Sequence, residues 1–140
     1  MDRPAIIQSI IRTILARYPA TQAIYLFGSW GTEDEWPESD VDIAVLLPPL
    51  EAKHAGFMGM SDACTDLRRI VGKEVDLINL RDVPTVFQKE IIVSGRRIFS
   101  HNDVVSDEFE IRVLSSYQKL NEERAEVLAE GLATRRFYDI

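Results

Sequence analysis

Two short apolar runs enclose the stretch that most constrains this chain. Ala23-Ile24-Tyr25-Leu26-Phe27 stops at Gly28-Ser29, and Ser39-Asp40-Val41-Asp42 opens into Ile43-Ala44-Val45. Both runs read as strands, with a polar, acidic loop between them. A tight glycine turn exposes backbone N–H groups to a phosphate. Two carboxylates at i and i+2 on a strand point to the same face. A phosphate cradle beside a pair of hard oxygen ligands is the equipment of metal-assisted nucleotide chemistry.

The chain has 140 residues, enough for one domain with a real core, and 46% of them are hydrophobic. It shows no internal repeat, no apolar run long enough to span a membrane, and no signal-peptide pattern at Met1-Asp2-Arg3-Pro4. Cys64 is the only cysteine, so no internal disulfide forms; a reducing cytoplasm is expected, with Cys64 in the core. The formal charge is −7, and basic residues come only as the pairs Arg68-Arg69, Arg96-Arg97 and Arg135-Arg136. Direct nucleic-acid binding is therefore not expected, because a duplex needs a basic stripe. Small anionic ligands stay open.

Helical spacing of Ile6, Ile7, Ile10, Ile11, Ile14 and Leu15 predicts an amphipathic helix over about 4–17. Strands are expected over 23–27, 40–47 and 74–80, with a loop or short helix at 30–38. One helix is expected over 51–71, with Phe57, Met60, Cys64, Leu67 and Val71 near one face and Gly72 at its end. Pro84 starts another helix that ends at Gly95, and residues 97–100 suit a short edge strand. Asp103 is the expected cap of a last long helix, about 103–137, whose stripe is Phe109, Val113, Tyr117, Leu120 and Leu128. The order predicts an α+β (mixed α/β) domain with a small sheet flanked by helices.

On the second strand Val41, Ile43, Val45 and Leu47 form a uniformly apolar face that must meet the core. Asp40 and Asp42 then face a cleft or solvent. Asp76 stands between Val75 and Leu77 on the third strand, and lies beside Asp40 and Asp42 if the two strands are neighbours. Two unit charges about 5 Å apart, at a dielectric of about 20, repel by about 3 kcal/mol. A divalent cation removes that penalty, and Mg²⁺ favours a few carboxylates together with phosphate oxygens and water. Two such ions could bridge nucleotide and nucleophile, with Asp76 on the nucleophile side as proton acceptor. A lone Asp-x-Asp is more simply a solvated strand edge. The four motif residues together match by chance only on the order of once in several hundred chains.

Gly28-Ser29-x10-Asp40-x-Asp42, with Ser39 before the first aspartate and Asp76 on a later strand, resembles the signature of the polymerase-β-type nucleotidyltransferase superfamily. The leading helix, Val75-Asp76-Leu77-Ile78-Asn79-Leu80, and the segment from Ile91 to Phe99 resemble the minimal nucleotidyltransferases, over about residues 5–100. The resemblance implies a polymerase-β-like fold with a long C-terminal helix. It implies Gly28 and Ser29 as nucleotide-binding residues. Asp40, Asp42 and Asp76 become the catalytic, Mg²⁺-binding triad. It also implies transfer of AMP from ATP to a tyrosine hydroxyl of a HEPN-domain ribonuclease toxin, in a hetero-oligomer where this chain is the antitoxin. One departure is clear: many relatives carry small and basic residues after the glycine-serine pair, where this chain has Glu33, Asp34 and Glu35. Those acids would weaken triphosphate binding, or face solvent or the toxin.

Other residues have simpler readings. Trp30 and Trp36 either stack on a base or pack under the loop. Arg96 and Arg97 are expected as a solvated pair, although one could reach a phosphate, and Lys73 and Lys89 are weaker candidates for that role. His54 and His101 are expected at the surface and Tyr25 in the core. The last helix either packs on its own domain or presents a docking face for the toxin or a second copy, extended by Arg135-Arg136-Phe137-Tyr138. Two other functions compete: an antitoxin that blocks by binding alone, and a nucleotidyltransferase acting on a small hydroxylated molecule such as an aminoglycoside.

Overall fold

The computed structural model describes the backbone of residues 2–138 and the side chains of residues 2–131. Helix α1 (Arg3–Arg17) starts where Asp2 accepts a hydrogen bond from the Ala5 N–H at 2.9 Å, with a proline in its first turn. Its apolar stripe buries Ile10, Ile11 and Ile14. Strand β1 (Ala23–Phe27) and strand β2 (Val41–Leu46) form an antiparallel pair. The chain then passes through α2 (Pro49–Ala55) and α3 (Asp62–Val71) to β3 (Val75–Asn79), parallel to β2. A 3₁₀ turn (Leu80–Asp82), α4 (Thr85–Ser94), edge strand β4 (Arg96–Ser100) and α5 (Asp103–Tyr138) complete the order. The mixed sheet runs β3-β2-β1-β4.

Period-two alternation divides the sheet between two cores. Ile24, Leu26, Val41, Ile43, Val45, Val75 and Leu77 point toward α1 and α3, where Cys64 and Leu67 are fully buried. Ala23, Tyr25, Ala44 and Leu46 point the other way, under Ile91 of α4 and Phe109 and Val113 of α5. The face of β2 that carries Asp42 is thus covered along Ala44 and Leu46 and reaches the surface only near its start.

Three local expectations are corrected. The single helix over 51–71 is two helices. Gly56, at φ +55°, closes α2, and the Ser61 hydroxyl caps α3 by accepting from the Cys64 N–H at 3.2 Å. The Asn79 side-chain amide holds the intervening loop by donating to the carbonyls of Ala52 and Gly56 at 2.8 and 2.9 Å. Met58 fills the core there, while Phe57 and Met60, expected on the inner face, are exposed. The cap of α5 is Asn102, not Asp103: its Oδ1 accepts from the N–H groups of Val104 and Val105 at 3.0 and 3.3 Å. Strands β2 and β3 are also shorter than expected, so Asp40 immediately precedes β2.

Helix α5 has 36 residues, a length of about 54 Å. Ser106, Phe109 and Val113 are buried, Tyr117 and Leu120 are half-buried, and Val127 and Leu128 are exposed. Its stripe therefore packs on its own sheet in the first half and outruns it in the second. The side chains of Arg135, Arg136, Phe137 and Tyr138 lie outside the described residues.

Candidate active site

Gly28 ends β1 with φ +72°, a left-handed conformation that glycine alone adopts freely. A Cβ built there would lie 2.0 Å from Oδ2 of Asp42, so any side chain at this position would have to displace the carboxylate or the turn. This contact brings the glycine turn directly against the first strand carboxylate. Asp42 is held between its register partners, Phe27 on β1 and Asp76 on β3. Neighbouring parallel strands lie about 4.8 Å apart, so Asp42 and Asp76 stand side by side on one face of the sheet. Asp40 is exposed just ahead of β2.

No protein group donates a hydrogen bond to any of these three carboxylates among the described residues. Burial, then the charges of Asp76 and Asp40, push the Asp42 carboxyl up to about 6. Among the described residues no three His, Cys, Asp or Glu side chains close around a metal by themselves. The arrangement suits an ion that takes one or two carboxylates and completes its shell with phosphate oxygens and water, as Mg²⁺ does.

A hydrogen-bonded clamp holds the loop. The Ser29 hydroxyl donates to Oγ of Ser39 at 2.9 Å, and the Trp36 N–H donates to the same oxygen at 2.9 Å. The Thr32 N–H and hydroxyl both donate to the Ser29 carbonyl, at 3.0 and 2.6 Å. Ser39 is buried and thereby ties the two ends of the loop together. Sequence reasoning noted Ser39 as a motif match and missed this role; its place between the glycine-serine turn and Asp40 was the available signal. Lys73, a candidate phosphate ligand, instead donates from Nζ to the carbonyls of Pro37 and Ser39 at 3.0 and 3.4 Å. Lys89 pairs with Glu90 and lies over the Tyr117 ring.

The acidic residues of the loop do not all crowd the turn. Glu35 forms a two-pronged ion pair with Arg3 and accepts from the Gly31 N–H at 2.7 Å, which holds its carboxyl at about 2. Glu33 and Asp34 are exposed. Trp30 packs in the core with the Arg3 guanidinium 4.6 Å above its ring, whereas Trp36 is exposed. Tyr25 is a core residue whose hydroxyl donates to Glu110 at 2.8 Å; burial raises its pKa. His54 and His101 are at the surface.

The expected solvated pair Arg96-Arg97 is split. Successive strand residues point to opposite faces, so Arg97 turns to α5 and bridges Asp103, Asp107 and Glu110 at 3.5, 2.8 and 2.6 Å. Arg96 turns to the glycine-serine loop and donates to the Trp30 carbonyl at 3.2 Å.

A mixed four-stranded sheet with a glycine turn against paired strand aspartates defines a nucleotidyltransferase. The family model for "Polymerase beta, Nucleotidyltransferase" matches residues 9–104, and the chain belongs to this family. It is 30% identical over 125 residues to protein adenylyltransferase MntA of Shewanella oneidensis, covering 89% of this chain and 86% of that one. A solved toxin–antitoxin structure with AMP-PNP matches at TM-score 0.71 and 25% identity, covering 90% of this chain and 98% of that chain. The tri-AMPylated HEPN toxin of Shewanella oneidensis in complex with its MNT antitoxin provides a second match. It has a TM-score of 0.69 and 24% identity, covering 94% of this chain and 99% of the matched one. Among the described residues no helix is long and apolar enough to cross a membrane.

Proposed function

We propose that the protein transfers AMP from ATP to a tyrosine hydroxyl of a HEPN-domain ribonuclease toxin and so acts as its antitoxin. The observation that carries this reading is the register pairing of Asp42 with Asp76 directly beside the Gly28 turn. The similarity to protein adenylyltransferase MntA over 89% of the chain supports a protein hydroxyl as acceptor.

Gly28 and Ser29 hold the triphosphate through the backbone N–H groups of the turn, while the Ser29 hydroxyl stays committed to Ser39. Asp40, Asp42 and Asp76 are the residues that would hold Mg²⁺. When bound, Mg²⁺ neutralises these acids and polarises the reacting phosphoryl group. The tyrosine oxygen forms the new bond to the α-phosphorus, the bond to the pyrophosphate oxygen breaks, and pyrophosphate leaves. Asp76 is exposed beside Asp42 and takes the phenolic proton. The rigid clamp from Ser39 to Ser29 keeps the triphosphate cradle in place during the displacement.

Intact mass of the partner toxin, after incubation with this protein, ATP and Mg²⁺, tests the reading. Steps of one or more AMP units, absent with Asp40→Asn/Asp42→Asn, are expected. An unchanged toxin mass beside a stable complex overturns the catalytic reading in favour of inhibition by binding.

A further inference from the structure

The loop from Gly28 to Asp40 contains no lysine or arginine, yet it is to receive a highly anionic triphosphate. Two guanidinium groups reach it from elsewhere in the chain. A Cβ built at Gly31 would lie 2.6 Å from Nη2 of Arg96 and 3.4 Å from Nη1 of Arg3. Gly31 has φ +81°, and the missing side chain leaves room for Arg96 to close on the loop two residues past Ser29. The two are not equivalent. Arg3 is compensated by Glu35 and lies over Trp30. Arg96 pairs with no carboxylate among the described residues; its recorded partner is the Trp30 carbonyl. Both line a groove of about 380 Å³ with Ile7, Trp30, Gly31 and Thr32.

The direction of Arg96 says which part of a nucleotide it can meet. Asp42 and Asp76 share the sheet face of Ala44 and Ile78, toward α4 and α5. Arg96 is paired with Leu26, whose side chain points to the opposite face, toward α1. The turn from Gly28 to Gly31 thus has the Asp42 carboxylate against its first residue and the Arg96 guanidinium against its last. We infer that Arg96, held against the loop by the Trp30 carbonyl, binds the terminal phosphates of the nucleoside triphosphate and supplies from β4 the positive charge that the loop lacks. The fork of a guanidinium suits phosphate oxygens, and with one hydrogen bond to Trp30 its other N–H groups are open to the groove. The inference rests on the nucleotidyltransferase reading above and names a further substrate contact within it.

Direct binding separates the two. Equilibrium titration of ATP and of AMP, each with Mg²⁺, is made on the unsubstituted protein and on Arg96→Ala, Arg96→Lys and Arg97→Ala. A charge-assisted contact made only to the terminal phosphates predicts about a tenfold loss of ATP affinity in Arg96→Ala with AMP affinity unchanged. Arg96→Lys restores part of the loss. Arg97→Ala, which removes charge from the opposite face, keeps the ATP-to-AMP ratio. An unchanged ATP affinity in Arg96→Ala overturns the inference, as does an equal loss in Arg97→Ala, while the active-site reading survives both. Failure of the unsubstituted protein to bind either nucleotide overturns both.

Discussion

Two sets of three carboxylates lie on the α4/α5 side of the sheet, and they are treated in opposite ways. Asp103, Asp107 and Glu110 of α5 converge on Arg97, which also sits beside the Tyr25–Glu110 hydrogen bond. Asp40, Asp42 and Asp76 converge on nothing: among the described residues no cation pairs with them, and Asp42 is driven toward its protonated form. The fold is therefore able to neutralise an acidic cluster with an arginine and does so on α5. Leaving the other cluster uncompensated costs stability, a cost that the proposed binding of a cation would remove. The difference separates an acidic latch from an acidic site, which the count of acids in the chain does not.

The largest effect is expected at the site. Gly28→Ala places a Cβ against Oδ2 of Asp42 at a positive φ, so it displaces either the turn or the carboxylate. AMP transfer should fall about a hundredfold or more, because an ångström of misplacement is enough for that. A full rate from this variant in a quantitative transfer assay would break the assignment of the turn. At the latch, Arg97→Ala leaves three carboxylates and the Tyr25 hydroxyl without their cation. The partly exposed network should lose about 1 to 2 kcal/mol, read as a lower urea midpoint. A midpoint unchanged within error would show that the two clusters do not differ as described.

The third effect has the opposite sign. Asp42 has an ordinary pKa of 3.8 and is raised to about 6 in the folded protein. Folding therefore favours its protonated form. Below the lower value both states hold the proton and nothing is lost; between the two values stability falls as pH rises; above the upper value the full cost applies. Asp42→Asn should thus stabilise the metal-free protein by about 1 kcal/mol at pH 8 and by little at pH 3, while abolishing transfer. Thermal melts at the two pH values check this. Equal shifts at both would mean that repulsion and burial of the charge are not the cause.

Much of this comparison was legible in advance. Strand β1 runs over the residues expected of it, and Asp76 was expected beside Asp42 on the condition that their strands are neighbours, which the sheet order meets. The break between α2 and α3 was not, because helical periodicity survives through Phe57 and Met60 while Gly56, Ser61 and the Asn79 amide act against it. The fates of Arg96 and Arg97 were not legible either. Adjacent residues look alike in a list, but a strand sends them to opposite faces, one to α5 and one to the glycine-serine loop.

What the sequence determined by itself was the chemistry on offer: a glycine-serine turn, two aspartates in strand spacing, a third acid on an apolar strand, and a polymerase-β-type family. Those are local facts, set by backbone sterics and side-chain alternation over a few residues. Tertiary structure alone decided which charges are compensated. Arg97 reaches Asp107 and Glu110, Arg3 reaches Glu35 from 32 residues away, and among the described residues no cation reaches Asp42. Electrostatic compensation falls off within a few ångströms and depends on where distant segments pack, and sequence proximity does not encode that.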